Sequence, residues 1–217
     1  MRYSVVVGLL FAALVVIALV NTRGGEEGTL GLEANSDRRP LPEFAVPVAA
    51  SELEGDANVA QDDCETSQVP CPAEARRVPA CRVPGADAIR VCDFFDRPLV
   101  ISFWFAQGRN CVDQQDVVDA VHRRYRGRVG FLSLNVRDDR DTVRDLVRRR
   151  GWGMPVGHDR DGAVASLYRV GGCPTFAYAY PGGVLQSAGI GDLTVAQLDA
   201  RVRGLLRATR AAERGRL

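Results

Sequence analysis

The chain contains no lysine: all 28 of its basic residues are arginine. So uniform a choice points to genomic base composition rather than to a need for bidentate phosphate contacts. Set against 27 acidic residues, the arginines leave a formal net charge of +1, which gives no electrostatic reason to expect nucleic acid or an acidic substrate. Histidine is scarce as well. The only two, His122 and His158, are not in zinc-ligand spacing with any cysteine, and no cysteine pair is spaced C-x-x-C. That pattern excludes the usual zinc sites, and neither a metal nor another cofactor is expected. No internal repeat is visible. With 46% hydrophobic and 25% charged residues, 217 residues suit one well-buried domain with accessory segments and leave too little for a second full domain.

Charge is missing altogether from Tyr3 to Val20, a run dominated by Val, Leu, Ala and Ile. About 18 such residues is the threshold for spanning a bilayer as a helix. The run ends in Ala18-Leu19-Val20-Asn21-Thr22-Arg23 rather than in a small-residue cleavage site, so an uncleaved anchor is expected. No cysteine follows it, which leaves a lipoprotein reading without an acceptor. Arg2 and the amino terminus on one side face Arg23, Glu26 and Glu27 on the other, a weak bias that puts the amino terminus in the cytoplasm. The expectation is a single-pass cell-membrane protein with an extracytoplasmic carboxy-terminal domain. Six cysteines, Cys64, Cys71, Cys81, Cys92, Cys111 and Cys173, suit such an oxidising compartment.

The expected organisation is an anchor at residues 1–23, a polar linker at 24–40, a domain at 41–210 and a solvated, arginine-bearing tail at 211–217. A polar, irregular, cysteine-bearing insertion occupies about 50–88. It lacks a core of its own, so local bridges Cys64–Cys71 and Cys81–Cys92 are expected, the second tying a hairpin around Pro84-Gly85. Leu99 to Phe105 reads as a strand buried on both faces, with Trp104 in the core. A helix follows, with Val117, Val118, Val121 and Tyr125 at helical spacing, and then a strand over 129–136. Helices are expected over 141–150 and 163–169, strands over 175–180 and 184–188 joined by Pro181-Gly182-Gly183, and a last helix opened by a Thr194/Gln197 capping box. That order implies an α/β fold, a mixed central sheet flanked by helices on both faces.

The stretch from Asp93 to Trp104 resembles the approach to the active site in TlpA-like and redoxin-type thioredoxin-fold proteins, many of them membrane-anchored thiol-disulfide oxidoreductases. Leu41 to Pro47 is similar to the opening strand of that family, and Gly172-Cys173-Pro174-Thr175 to its cis-proline loop. The resemblance covers Leu41 to Leu206 and implies a thioredoxin-like fold. In the family a W-C-x-x-C motif comes next. Here Gly108 stands where the attacking cysteine belongs and Cys111 where the resolving one does, Gln107 replaces the usual tryptophan, and Ser102 takes the place of a buried acid. With Gly108 the ordinary exchange cannot run, because no thiolate attacks from that position.

The resemblance also places Cys173, before Pro174, beside the motif. Cys111, near a helix amino terminus and next to Arg109, has the setting of a reactive thiolate. Cys111 and Cys173 therefore read either as a relocated redox pair or as a permanent staple. Gly108, Arg109, Gly172 and Pro174 are the residues expected to meet a substrate. Two functions stay open: an oxidoreductase acting on thiols or disulfides of exported proteins, or a binding module that holds an extended peptide at the cis-proline loop without turnover. A peroxidase reading lacks its P-x-x-x-T-x-x-C cysteine. His158 reads as a surface-loop histidine, His122 as a solvated one, and Asp138, Asp139 and Asp141 as a helix start rather than a calcium site.

Overall fold

The computed structural model describes residues 39–59, 78–107 and 110–215. The expected anchor at Tyr3 to Val20, most of the linker, Cys64, Cys71, Gly108 and Arg109 lie outside them. Among the described residues no helix is long and apolar enough to cross a membrane.

The fold is organised around β4 (Leu99–Trp104), whose six residues are all buried. Its side chains alternate between two cores, as a strand with both faces covered requires. Leu99, Ile101 and Phe103 enter one core with Phe44, Leu132, Leu134 and Tyr168. Val100 and Trp104 enter the other, with Val118, Val121, Phe176, Leu198 and Val202. β4 is central in a five-stranded sheet of order β6-β5-β4-β7-β8. It runs parallel to β5 (Gly130–Val136) and antiparallel to β7 (Thr175–Tyr180), while β6 (Val156–Asp159) is parallel to β5 and β8 (Val184–Ile190) antiparallel to β7.

Among the described residues four helices pack on this sheet. α1 (Cys111–Tyr125) carries Asp113 in its first turn and His122, Arg123 and Arg124 in its last, matching the helix dipole. α2 (Arg140–Arg150) is capped by Asp139, which accepts from the Thr142 amide at 3.0 Å, and ends at Gly151 in the left-handed region. α3 (Ala163–Leu167) is a single short turn. α4 (Val195–Arg214) opens with the expected capping box at Thr194 and Gln197 and runs on to Arg214, so the first four residues of the expected tail are helical.

The amino-terminal strand expected at Leu41 to Pro47 is β1 (Phe44–Pro47), and it belongs to a separate three-stranded antiparallel sheet of order β2-β1-β3. β2 is Asn58–Val59 and β3 is Ala88–Arg90. The hairpin expected between Cys81 and Cys92 is not there. Two 3-10 turns, Ala80–Arg82 and Val91–Phe94, flank β3, which pairs with β1 instead. The bridge itself is as expected: Cys81 and Cys92 are bonded, with alpha carbons 5.8 Å apart.

The small sheet packs onto the large one at Gly157. Val48 bridges to it, and a Cβ there would stand 2.5 Å from Val46 Cγ2 and 2.8 Å from Leu134 Cδ2, both in the buried core. Val46 is β-branched and held in one rotamer, and both side chains are buried, so a Cβ there forces the core to shift. Gly157→Ala is expected to lower stability by about 2 kcal/mol through overpacking; a shift in urea midpoint checks it, and an unchanged midpoint would mean that β1 lifts freely off the sheet.

Candidate active site

Three segments meet at the end of β4. The first is the amino terminus of α1. Its first residue is Cys111, preceded by Asn110 in the left-handed region with φ 69° and no side-chain cap on the helix. The second is the loop that enters β7, where Cys173 precedes Pro174 across a cis peptide bond and Thr175 Oγ1 donates to the Gly172 carbonyl at 2.7 Å. The third is the turn between β8 and α4. The Gly191 amide donates to the Pro174 carbonyl at 3.0 Å, the Leu193 amide donates to Gln114 Oε1 at 2.8 Å, and Gln114 Nε2 donates to the Leu193 carbonyl at 3.1 Å. Asn110 Nδ2 adds a bond to Asp192 Oδ2 at 3.1 Å.

A disulfide between Cys111 and Cys173 lies where these segments converge. The alpha carbons are 5.8 Å apart, within the range a disulfide accepts. The pairing that the resemblance implied is therefore formed. Cys111 is buried at 2% exposure, while Cys173 is only partly buried.

Beneath the helix start lies a buried polar chain. Gln115 Nε2 donates to Ser102 Oγ at 3.0 Å, Ser133 Oγ donates to Gln115 Oε1 at 2.9 Å, and Trp104 Nε1 donates to Ser133 Oγ at 2.8 Å. All four residues are at 0% exposure. Ser102, the position where the resemblance expects an acid, is thus joined through Gln115 to a neutral network, and an unpaired carboxylate buried there would be costly. The network holds α1 against β4 and β5 and offers no group that titrates near neutrality.

On the other side, Asp138 holds the loop that leads into α1. Its Oδ2 accepts from the Ala106 amide and, at 2.6 Å, from Asn135 Nδ2. His158 Nε2 lies 2.9 Å from the Asp138 carbonyl and donates to it. This corrects two expectations. His158 is at 3% exposure on β6, not in a surface loop. His122 is partly buried with its ring against Phe131, and burial pushes its pKa down. Asp139 caps α2, as expected for a helix start, and the Thr142 amide holds its carboxyl below the usual range. Removing the Asp138 carboxylate leaves buried Asn135 and the Ala106 amide without their acceptor. Asp138→Ala should cost about 2 kcal/mol and should raise the Ala106 amide exchange rate at least tenfold, readable by hydrogen exchange; an unaltered rate would mean that the loop is held elsewhere.

The structure brings the expected redox pair Cys111 and Cys173 together with Gly172 and Pro174, two of the four residues expected to meet a substrate; the other two, Gly108 and Arg109, lie outside the described residues. Among the described residues, the group of three ligand atoms near enough for a metal ion is Glu43 with Cys81 and Cys92, and its two sulfurs are bonded to each other. Sequence reasoning missed Gln114, Gln115, Asp138 and Asn110. The glutamines had left a trace, since Gln114 is four residues and Gln115 three residues before buried Val118, polar positions on an apolar stripe.

No family model matches the chain. A thiol-disulfide oxidoreductase, ResA, of Oceanobacillus iheyensis is 21% identical over 112 residues, 51% of this chain and 58% of that protein, so the chain spans little more than half of its relative. Among solved structures, a DsbF homologue from Corynebacterium diphtheriae is similar with a TM-score of 0.57 at 15% identity, covering 80% of this chain and 88% of the other. A Chlorobium tepidum protein named as a thiol:disulfide interchange protein DsbE gives 0.56 at 12% identity, over 80% and 97%. A secreted Mycobacterium tuberculosis disulfide oxidoreductase gives 0.50 at 18%, over 54% and 88%. The chain is a thioredoxin-fold protein. It resembles the redoxin-type thiol-disulfide oxidoreductases.

Proposed function

We propose that this chain is a membrane-anchored, extracytoplasmic thiol-disulfide oxidoreductase that exchanges disulfides with thiols of exported proteins through the Cys111–Cys173 pair. The observation that carries the reading is the position of that bond, joining the first residue of a helix to the residue before the cis proline. A thiolate generated at a helix amino terminus is stabilised by unpaired N–H groups and by the dipole, the setting in which a cysteine becomes reactive. The cis-proline loop beside it leaves a strand-like approach for an extended partner. Two disulfides within one domain favour an oxidising compartment. The anchor rests on the uncharged run from Tyr3 to Val20; membrane fractionation with amino-terminal sequencing tests it, and a soluble form beginning after Asn21 would refute it.

The deep burial of Cys111 favours a second reading, a binding module in which the bond is a staple. The reduction potential separates the two. A structural bridge lies below about −300 mV and a working couple well above it. Exchange of the purified domain with a model disulfide should be lost in both Cys111→Ser and Cys173→Ser. No exchange by the wild-type domain, with a bond that resists strong thiols, leaves only the binding module.

A further inference from the structure

We infer that Cys173, not Cys111, is the sulfur that an incoming thiolate attacks, so that the mixed disulfide with a protein thiol forms on the cis-proline loop. The inference rests on the exchange reading above and reverses the usual polarity of the fold, in which the helix-borne cysteine is attacked.

Access is the first argument. Cys111 is almost wholly enclosed, whereas Cys173 is partly exposed at the end of a glycine pair. Gly171 is exposed, with open space where a side chain would stand, and a Cβ on Gly172 would meet only Ile190, 2.7 Å from its Cδ1. Ile190 is itself 43% exposed, and it forms the lip of this approach. A thiol carried on an extended segment, with an apolar neighbour to rest on Ile190, fits the opening.

The second argument concerns the leaving group. A disulfide breaks most readily when the departing sulfur is the more stable thiolate. Attack at Cys173 puts the departing charge on Cys111, at the amino terminus of a 15-residue helix. Asn110 does not cap that helix with its side chain, which donates to Asp192 instead, so the cap carboxylate or hydroxyl common at helix starts is not supplied by the residue before Cys111. The one acid in the first turn, Asp113, is bonded to Arg150 at 2.8 Å. Attack at Cys111 would instead leave the charge on Cys173, which lies in a loop and not at a helix start.

A substrate thiolate attacks Cys173 Sγ, the Cys111–Cys173 bond breaks, and its electron pair leaves on Cys111 Sγ. A second thiol of the same substrate then loses its proton to solvent and attacks the substrate sulfur of the mixed disulfide, and Cys173 departs as a thiolate. The substrate dithiol is oxidised to a disulfide by two electrons, and the protein's pair is reduced to two thiols.

The oxidised wild-type protein is treated with less than one equivalent of glutathione, quenched in acid with N-ethylmaleimide, and mapped by mass spectrometry without reduction. Glutathione on Cys173 and maleimide on Cys111 is the expected result. Glutathione on Cys111 overturns the inference while leaving the exchange reading standing. Glutathione on neither sulfur, with the bond intact, overturns the exchange reading itself.

Discussion

Opening the Cys111–Cys173 bond is expected to destabilise the domain by about 4 kcal/mol, because it frees a long loop in the unfolded chain. The bond closes a sequence separation of 62 residues and spans α1, β5, α2, β6 and α3 between its two ends. For a domain of this size the loss corresponds to a fall in melting temperature of roughly 8–16 °C. The Cys81–Cys92 bond closes only 11 residues, and the same chain-entropy argument gives it about 3 kcal/mol. Comparing Cys111→Ala/Cys173→Ala with Cys81→Ala/Cys92→Ala in urea therefore ranks the two, and the first pair should lose more. An equal or smaller loss for the first pair would mean that the reduced, unfolded chain retains structure that already keeps the two cysteines near each other. That outcome would also bear on function, since a redox couple must survive its own reduction with the fold in place. The hydrogen bonds that clasp Gln114 to Leu193 are the features that would keep the two thiols near each other once the bond is open.

The parts of the fold legible in the sequence were those with a strong local signal. β4 could be read because both of its faces are buried, which calls for an unbroken β-branched and aromatic run. α4 could be read from its capping box and its apolar stripe at Leu198, Val202 and Leu205. β6 could not, because Gly157-His158-Asp159 has the composition of a turn, and what makes it a strand is nonlocal. Gly157 is required by the pressure of Val46, and His158 and Asp159 are tolerated only because the Asp138 carbonyl and the amides of α3 receive them. At the site, the Cys111/Cys173 pairing was legible only through the resemblance that placed Cys173 beside the motif. The neutral chain of Ser102, Gln115, Ser133 and Trp104 was not legible, since its members come from three elements and each alone looks like an ordinary polar or core residue.

Asp159 makes the protein's stability depend on pH in the direction opposite to that of an ordinary paired carboxylate. It ends β6 at 0% exposure, and its oxygens accept from the amides of Val164 at 3.2 Å and Ala165 at 2.8 Å, which fixes the start of α3. Burial pushes the carboxyl up to about 6 from 3.8, against the pull of the two amides, with Asp161 adding to the rise. Between these values the folded protein holds a proton that the unfolded chain has already released. Stability must then fall as pH rises through that window. The contribution is free of cost below pH 4 and fully unfavourable above pH 6, a difference of about 3 kcal/mol for a shift of this size. Carboxyls held low, such as Asp139, work in the reverse direction, so the stability curve of the whole protein does not isolate the effect. The difference between wild type and Asp159→Asn does. Asparagine cannot titrate, and its carbonyl keeps one of the two amide bonds, so it carries a fixed penalty of about 1 kcal/mol for the lost acceptor. From pH 4 to pH 7 the variant should gain about 2 kcal/mol on the wild type, crossing from less stable to more stable, as read from urea midpoints at each pH. A gap that stays constant over that range would mean that the α3 amides compensate fully for burial and that Asp159 ionises as it does in water.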